Sequence, residues 1–159
     1  MKKVLSIALA MLLLLVAAIP AFAADGDTVE ASKFTGNYGL QDAYFEYYKG
    51  LLDNGATQFD VYTADGLYVL ASLINENDFT GKTVSLKADL IFNEGNAADW
   101  ANTEPTYSWK SIENFKGTFD GEGHTISGIY VNAGVVNYKG FFGVVLAGAT
   151  IKNIALVNS

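Results

Sequence analysis

The amino-acid sequence predicts a mainly β fold: the start of a parallel β-solenoid behind one or two N-terminal capping helices. Three observations lead there. Helical periodicity is confined to two segments before residue 77. From Phe79 to Ser159 the chain becomes short β-branched and aromatic pieces punctuated by glycine. Two of those pieces recur, Thr125 at Thr150 and Phe115 at Tyr138, offsets of 25 and 23 residues. A period in the low twenties with no helix inside the unit suits one coil of a solenoid, and a β-sandwich with similar hairpins is the alternative.

The first 23 residues read as an export signal. Met1-Lys2-Lys3 is a positive start, Val4 opens an apolar run broken only by Ser6, and Pro20 ends it before Ala21-Phe22-Ala23. Small residues at 21 and 23 suit cleavage between Ala23 and Ala24. The run holds roughly 15 residues before the proline, short of the about 20 a transmembrane helix needs. No later segment is long and apolar enough to span a bilayer, so no membrane span is expected after cleavage. The expected location is secreted or on the bacterial cell surface.

Loss of Lys2 and Lys3 with the leader takes the basic count from 10 to 8 against 17 acidic residues, a net charge of −9. Every basic residue is lysine. An acidic chain without a guanidinium fork is a poor partner for nucleic acid or anionic lipid. Without cysteine there are no disulfides, thiolate metal sites or thiol nucleophiles. Stability must come from packing and backbone hydrogen bonds.

Residues 24–58 form an N-terminal loop and helical cap. Apolar side chains at 44, 45, 47, 48, 51 and 52 give a helix over residues 42–52, closed by Asn54-Gly55. Its aromatic stripe, Tyr44, Phe45, Tyr47 and Tyr48, is read as core rather than as a binding face. Residues 59–159 form the coils. Phe59, Val61 and Thr63 alternate as a strand, and Thr63 caps a helix reaching about Asn75 with Leu67, Leu70, Ala71 and Ile74 on its apolar face. Strands are expected at 83–86, 90–92, 118–119, 125–131, 140–145 and 150–157. A polar insertion at about 93–111 interrupts them.

Within this region Phe115-Lys116-Gly117-Thr118-Phe119-Asp120-Gly121-Glu122-Gly123-His124-Thr125-Ile126-Ser127-Gly128-Ile129 is followed by Gly140-Phe141-Phe142-Gly143 and Gly148-Ala149-Thr150-Ile151-Lys152-Asn153-Ile154. This order resembles the opening coils of GLUG-motif domains, right-handed parallel β-helices of large bacterial surface and adhesin-like proteins. The resemblance spans residues 59–159 and includes the helix beginning at Thr63. It implies a right-handed β-helix, a surface role and a core position for Trp109. Family members carry a Trp-x-Pro-Ile-Gly segment where this chain has Trp109-Lys110-Ser111-Ile112-Glu113. They also continue through many coils, so a truncated C-terminus with an exposed sheet edge, open to edge-to-edge self-association, is expected.

Catalytic chemistry finds little support. His124 is the only histidine, which removes two-histidine metal sites, and it reads as a turn histidine. Asp120 with Glu122, Asp89 with its neighbours, and Glu94 with Asp99 offer carboxylate pairs, but β-helix lyases generally add arginine and clustered aspartates. Two nearby oxygen ligands fall short of the six to eight that calcium takes. No catalytic residue, metal or cofactor is assigned. The insertion is the candidate recognition element, through Trp100, Tyr107 and Trp109, because aromatic faces on loops stack on sugars or anchor protein contacts. The expected function is a non-enzymatic module binding an extracellular glycan or protein. The alternatives are the substrate-binding part of a carbohydrate-active enzyme and a purely structural stalk base.

Overall fold

The computed structural model describes residues 31–132 and 138–159. The leader and the Ala23/Ala24 cleavage position lie outside the described residues. Strand β1 (Ser32–Lys33) precedes helix α1 (Tyr38–Asp53), β2 (Gln58–Val61) and helix α2 (Ala64–Glu76). Strands β3 (Thr83–Leu86) and β4 (Leu90–Ile91) follow, then a 3₁₀ turn at Ala97–Asp99. The described chain closes with β5 (Thr118–Asp120), β6 (Thr125–Ser127), β7 (Thr150–Lys152) and β8 (Ala155–Val157).

Both helices follow from their caps. Helix α1 starts four residues before the apolar spacing suggests, because the Asn37 side chain accepts the Leu40 N–H at 3.2 Å. The Thr63 hydroxyl accepts the Gly66 N–H at 3.1 Å to open α2, and donates to the Tyr44 hydroxyl at 2.6 Å. One side chain thus caps α2 and ties α1 to it. Tyr44 and Tyr48 of the aromatic stripe are buried, Tyr47 is half-buried and Phe45 is 41 % exposed. Burial pushes the Tyr48 phenol well above its ordinary value, so it remains a donor to the Asp60 carbonyl at 3.0 Å.

The strands form two four-stranded sheets, β1-β4-β6-β8 and β2-β3-β5-β7, with every neighbouring pair parallel. In the second sheet Phe59 pairs with Val84, Val84 with Phe119 and Phe119 with Ile151, stacking one apolar row through four strands. In the first, Leu90, Ile126 and Leu156 form a matching row. Phe119 is fully buried, with the rings of Phe115, Phe141 and Phe142 at 6.4, 5.5 and 5.4 Å. Cutting such a side chain back to alanine costs about 3–5 kcal/mol. At the last strands the rows meet no further strand among the described residues: Ile151 is 38 % and Leu156 46 % exposed.

This architecture corrects the expected fold class. The chain is an α/β fold of two small parallel sheets and two helices, and not a mainly β right-handed β-helix. Helices of 16 and 13 residues outweigh strands of two to four residues each. Nor does one period govern the pairing. Gln58↔Thr83, Thr83↔Thr118 and Thr118↔Thr150 are 25, 35 and 32 residues apart. Ser32↔Leu90, Leu90↔Ile126 and Ile126↔Leu156 are 58, 36 and 30 apart. The repeated segments are not partners: Thr125–Ser127 lies in one sheet and Thr150–Lys152 in the other. They look alike because each is a three-residue strand leaving through a left-handed residue, Gly128 (φ 75°) or Asn153 (φ 53°). Residues 140–145 form no strand; Phe142 and Val145 make only single parallel bridges, to Ile112 and Phe115.

At the turn after β5, Asp120 accepts the Glu122 N–H at 3.0 Å, and Lys152 and Asn153 of the next layer, each at 3.0 Å. The backbone donor first, then these side chains, lower its carboxyl from 3.8 to about 2. A depressed folded-state pKa gives stabilisation that is complete above the unfolded value and fades as pH falls through the folded one. The expected outcome is that wild-type Tm exceeds that of Asp120→Asn above pH about 4, and that the gap closes as pH falls towards 2. Thermal melts of both proteins by circular dichroism across that range check this.

Candidate functional site

The end of β1, the end of β4 and the loop after β4 enclose a cleft of about 520 Å³. This lies within the roughly 300–1,000 Å³ usual for small-ligand sites. Phe34, Phe92, Trp100 and Tyr107 supply its aromatic lining, and Glu94, Asp99, Glu104 and Lys33 its charge. The mixture follows from local structure. Strand β4 is followed directly by Phe92-Asn93, one apolar and one amide residue, both buried, and the chain then leaves as a polar loop.

Asn93 makes that loop rigid. Its amide nitrogen donates to the carbonyls of Tyr107 and Gly128, both at 2.8 Å, and its amide oxygen accepts the Tyr107 N–H at 3.0 Å. A buried amide meeting three backbone groups closes the loop at residues 93 and 107 and docks it beside β6. The far side is held by Asn158, which accepts the Ala97 N–H at 2.8 Å and donates to the Gly95 carbonyl at 2.5 Å. The β1 side hangs on Asp65, 1 % exposed in the first turn of α2. Its carboxylate accepts the N–H groups of Thr35 and Gly36 at 2.9 and 3.1 Å. Tyr107 returns the contact, donating to the Thr35 carbonyl at 3.3 Å and meeting Phe34 edge-on at 4.7 Å.

Of the three residues expected to bind a ligand, two line the cleft. Trp100 is half-buried and meets Tyr130 edge-on at 5.9 Å. The Tyr130 hydroxyl donates to Glu104 at 3.0 Å; desolvation first, then that carboxylate, raises its phenol pKa, so it stays a donor at neutral pH. Asn132 also donates to Glu104. Trp109 does not line the cleft. It is 3 % exposed, its indole stacks on Phe141 at 5.0 Å, and its Nε1–H donates to the Phe141 carbonyl at 3.1 Å. Both its apolar body and its polar group are taken up by the core, so it presents no face to a ligand.

Phe34, Asn93 and Asn158 were not singled out by sequence. Asn93 carries a usable signal, an amide directly after a β-branched and aromatic pair where the polar stretch begins. Asn158 carries none, because its role depends on β8 lying beside β6. Asp89 and His124, a carboxylate–histidine pair, sit outside the cleft at 3.3 Å. The Thr125 N–H at 2.7 Å is the main cause of the lowered Asp89 pKa, and His124 contributes. Among the described residues no three acidic or histidine side chains come together to hold a metal ion. No helix among them is long and apolar enough to cross a membrane. No family model, curated protein or solved structure matches the chain.

Gly128 is where the cleft's support touches β6. A Cβ there would sit 2.0 Å from the Asn93 carbonyl oxygen, on a backbone at φ 75°. Gly123 has a similar φ of 87° but open space around it. Gly128→Ala is expected to cost about 3 kcal/mol or more, combining collision and strain. Gly123→Ala is expected to cost about 1–2 kcal/mol, from strain alone. Urea denaturation of the two variants beside wild type measures the difference.

Proposed function

We propose that the chain is an exported, non-enzymatic binding module of the bacterial exterior that takes a glycan in the Phe34–Trp100–Tyr107 cleft. The observation that carries this is the lining: aromatic side chains beside amide, hydroxyl and carboxylate groups, on a loop fixed by buried hydrogen bonds. Sugar rings offer apolar faces for aromatic contact and rims of hydroxyls for such polar groups. The export leader and the GLUG-like segment at 115–129 support an adhesive role at the cell surface. Protein beginning at Ala24 is expected to bind a defined subset of a glycan array. Trp100→Ala should weaken the best ligand about tenfold or more, as loss of a central aromatic anchor does. A blank array from folded protein would sink the reading.

We further propose self-association through β7 and β8. These are the outer strands of their sheets, with Ile151, Leu156 and Val157 exposed and no charge or proline within β8. The opposite end is blocked by α2, which packs against β1 and β2, so pairing is expected to stop at a two-fold dimer. Sedimentation equilibrium should show a monomer–dimer equilibrium that Leu156→Lys shifts to monomer. A wild-type chain that stays monomeric at high concentration overturns it.

A further inference from the structure

We infer that the glycan taken by the cleft is cationic, an amine-bearing saccharide of the glucosamine type, rather than a neutral or acidic one. This rests on the carbohydrate reading of the same cleft and adds the ligand's charge to it. Three carboxylates line the cleft, Glu94, Asp99 and Glu104, against a single ammonium, Lys33. Lys33 lies 2.5 Å from Glu94, so that pair is internally balanced. Glu104 accepts from the Tyr130 hydroxyl and the Asn132 amide, neutral donors that fix its position and leave its charge in place. Asp99 takes part in no ion pair among the described residues. Among the described residues, two of the cleft's three carboxylates, Asp99 and Glu104, are therefore in no ion pair.

A metal ion is a poor match for that excess, since it needs its ligands converged and these carboxylates are not gathered into a metal-holding group. Charges spread along an aromatic-lined cleft suit an extended organic cation. Phe34, Trp100 and Tyr107 strengthen the match, because an aromatic face attracts a sugar's C–H surface and an ammonium group alike. An acidic sugar would be repelled by the same lining, and a neutral one would leave the carboxylates desolvated without a partner. A lysine-rich peptide shares the charge. The saccharide is favoured by the amides and hydroxyls of Asn96, Thr103 and Thr106 in the lining, which suit a hydroxyl-covered ligand.

The experiment is calorimetric titration of protein beginning at Ala24 with a β-1,4-linked glucosamine tetrasaccharide, its fully N-acetylated counterpart, a uronic-acid oligomer and a tetralysine peptide. It is run at a pH where the sugar amines are protonated, in low and high salt. The amine form is expected to bind about tenfold more tightly than the acetylated form. Asp99→Asn, with unchanged circular dichroism, should bring that preference towards unity and flatten its salt dependence. Glu46→Gln, a charge loss on α1 outside the cleft, should leave both unchanged; an equal loss there means general attraction to an acidic chain and overturns the inference. Equal or tighter binding of the acetylated or uronic oligomer overturns it while leaving the carbohydrate reading intact. Tetralysine binding without glucosamine binding overturns it in favour of a protein ligand. Binding to none of the saccharides, with a blank glycan array, removes the carbohydrate reading and this inference together.

Discussion

In-register stacking of apolar side chains across parallel strands is the constraint on which the rest of this molecule depends. With no cysteine in the chain, no covalent cross-link holds the layers. Strands of two to four residues contribute few backbone hydrogen bonds each, and isolated strands of that length are unstable in water. What holds them is the burial of Phe59, Val84 and Phe119 in one row and Leu90 and Ile126 in the other, all fully inaccessible to solvent. A slip of one residue in any pair would turn a row outward. Helix α2 finishes one end of the rows: Leu67 and Leu70 are buried in the same core, and the helix packs against β1 and β2.

That rigid stack lets a long polar loop carry a site. A loop on the surface is ordinarily the least stable part of a domain, with few buried contacts to order it. Here two buried anchors substitute for packing: Asn93 at the loop's base and Asp65 beneath β1. Each is a polar group whose partners are backbone atoms. Such groups are costly if one partner is missing, so the arrangement favours one loop conformation over many. The aromatic lining is thereby presented in a fixed geometry, reducing the ordering that binding would otherwise require.

How much of this the sequence discloses depends on whether the deciding interaction is local. The helix beginning after Thr63 is legible because its cap and its apolar spacing lie within a few residues of each other. Most strands are legible as existing, since β-branched and aromatic runs between glycines are local signals too. The fold class was not. It turns on which strands lie side by side, and the apparent repeat answers a different question. Thr125-Ile126-Ser127-Gly128 and Thr150-Ile151-Lys152-Asn153 share a strand-then-corner grammar, while pairing follows the long-range rows that put Thr118, not Thr125, beside Thr150. Trp100 and Trp109 make the same point for the site. Nine residues apart in one polar segment, they differ in a contact to Phe141, 32 residues downstream of Trp109, which no local pattern encodes.

The same long-range logic couples the cleft to the open edge of the first sheet. Asn158 follows directly on β8, and its side chain holds the backbone at Gly95 and Ala97, beside the carboxylates of Glu94 and Asp99. Ser159 adds a bond from the Ile129 N–H at 3.1 Å. Among the described residues strand β8 is paired on one side only, by β6, and its three side chains are exposed. Whatever orders β8 therefore also orders one wall of the cleft, and whatever frays it releases that wall. A strand added beside β8 would bind the ordered form in preference to the frayed one, and by mass action would stabilise the loop geometry that the cleft requires. Edge pairing and ligand binding would then favour each other reciprocally, through two hydrogen bonds from a single asparagine.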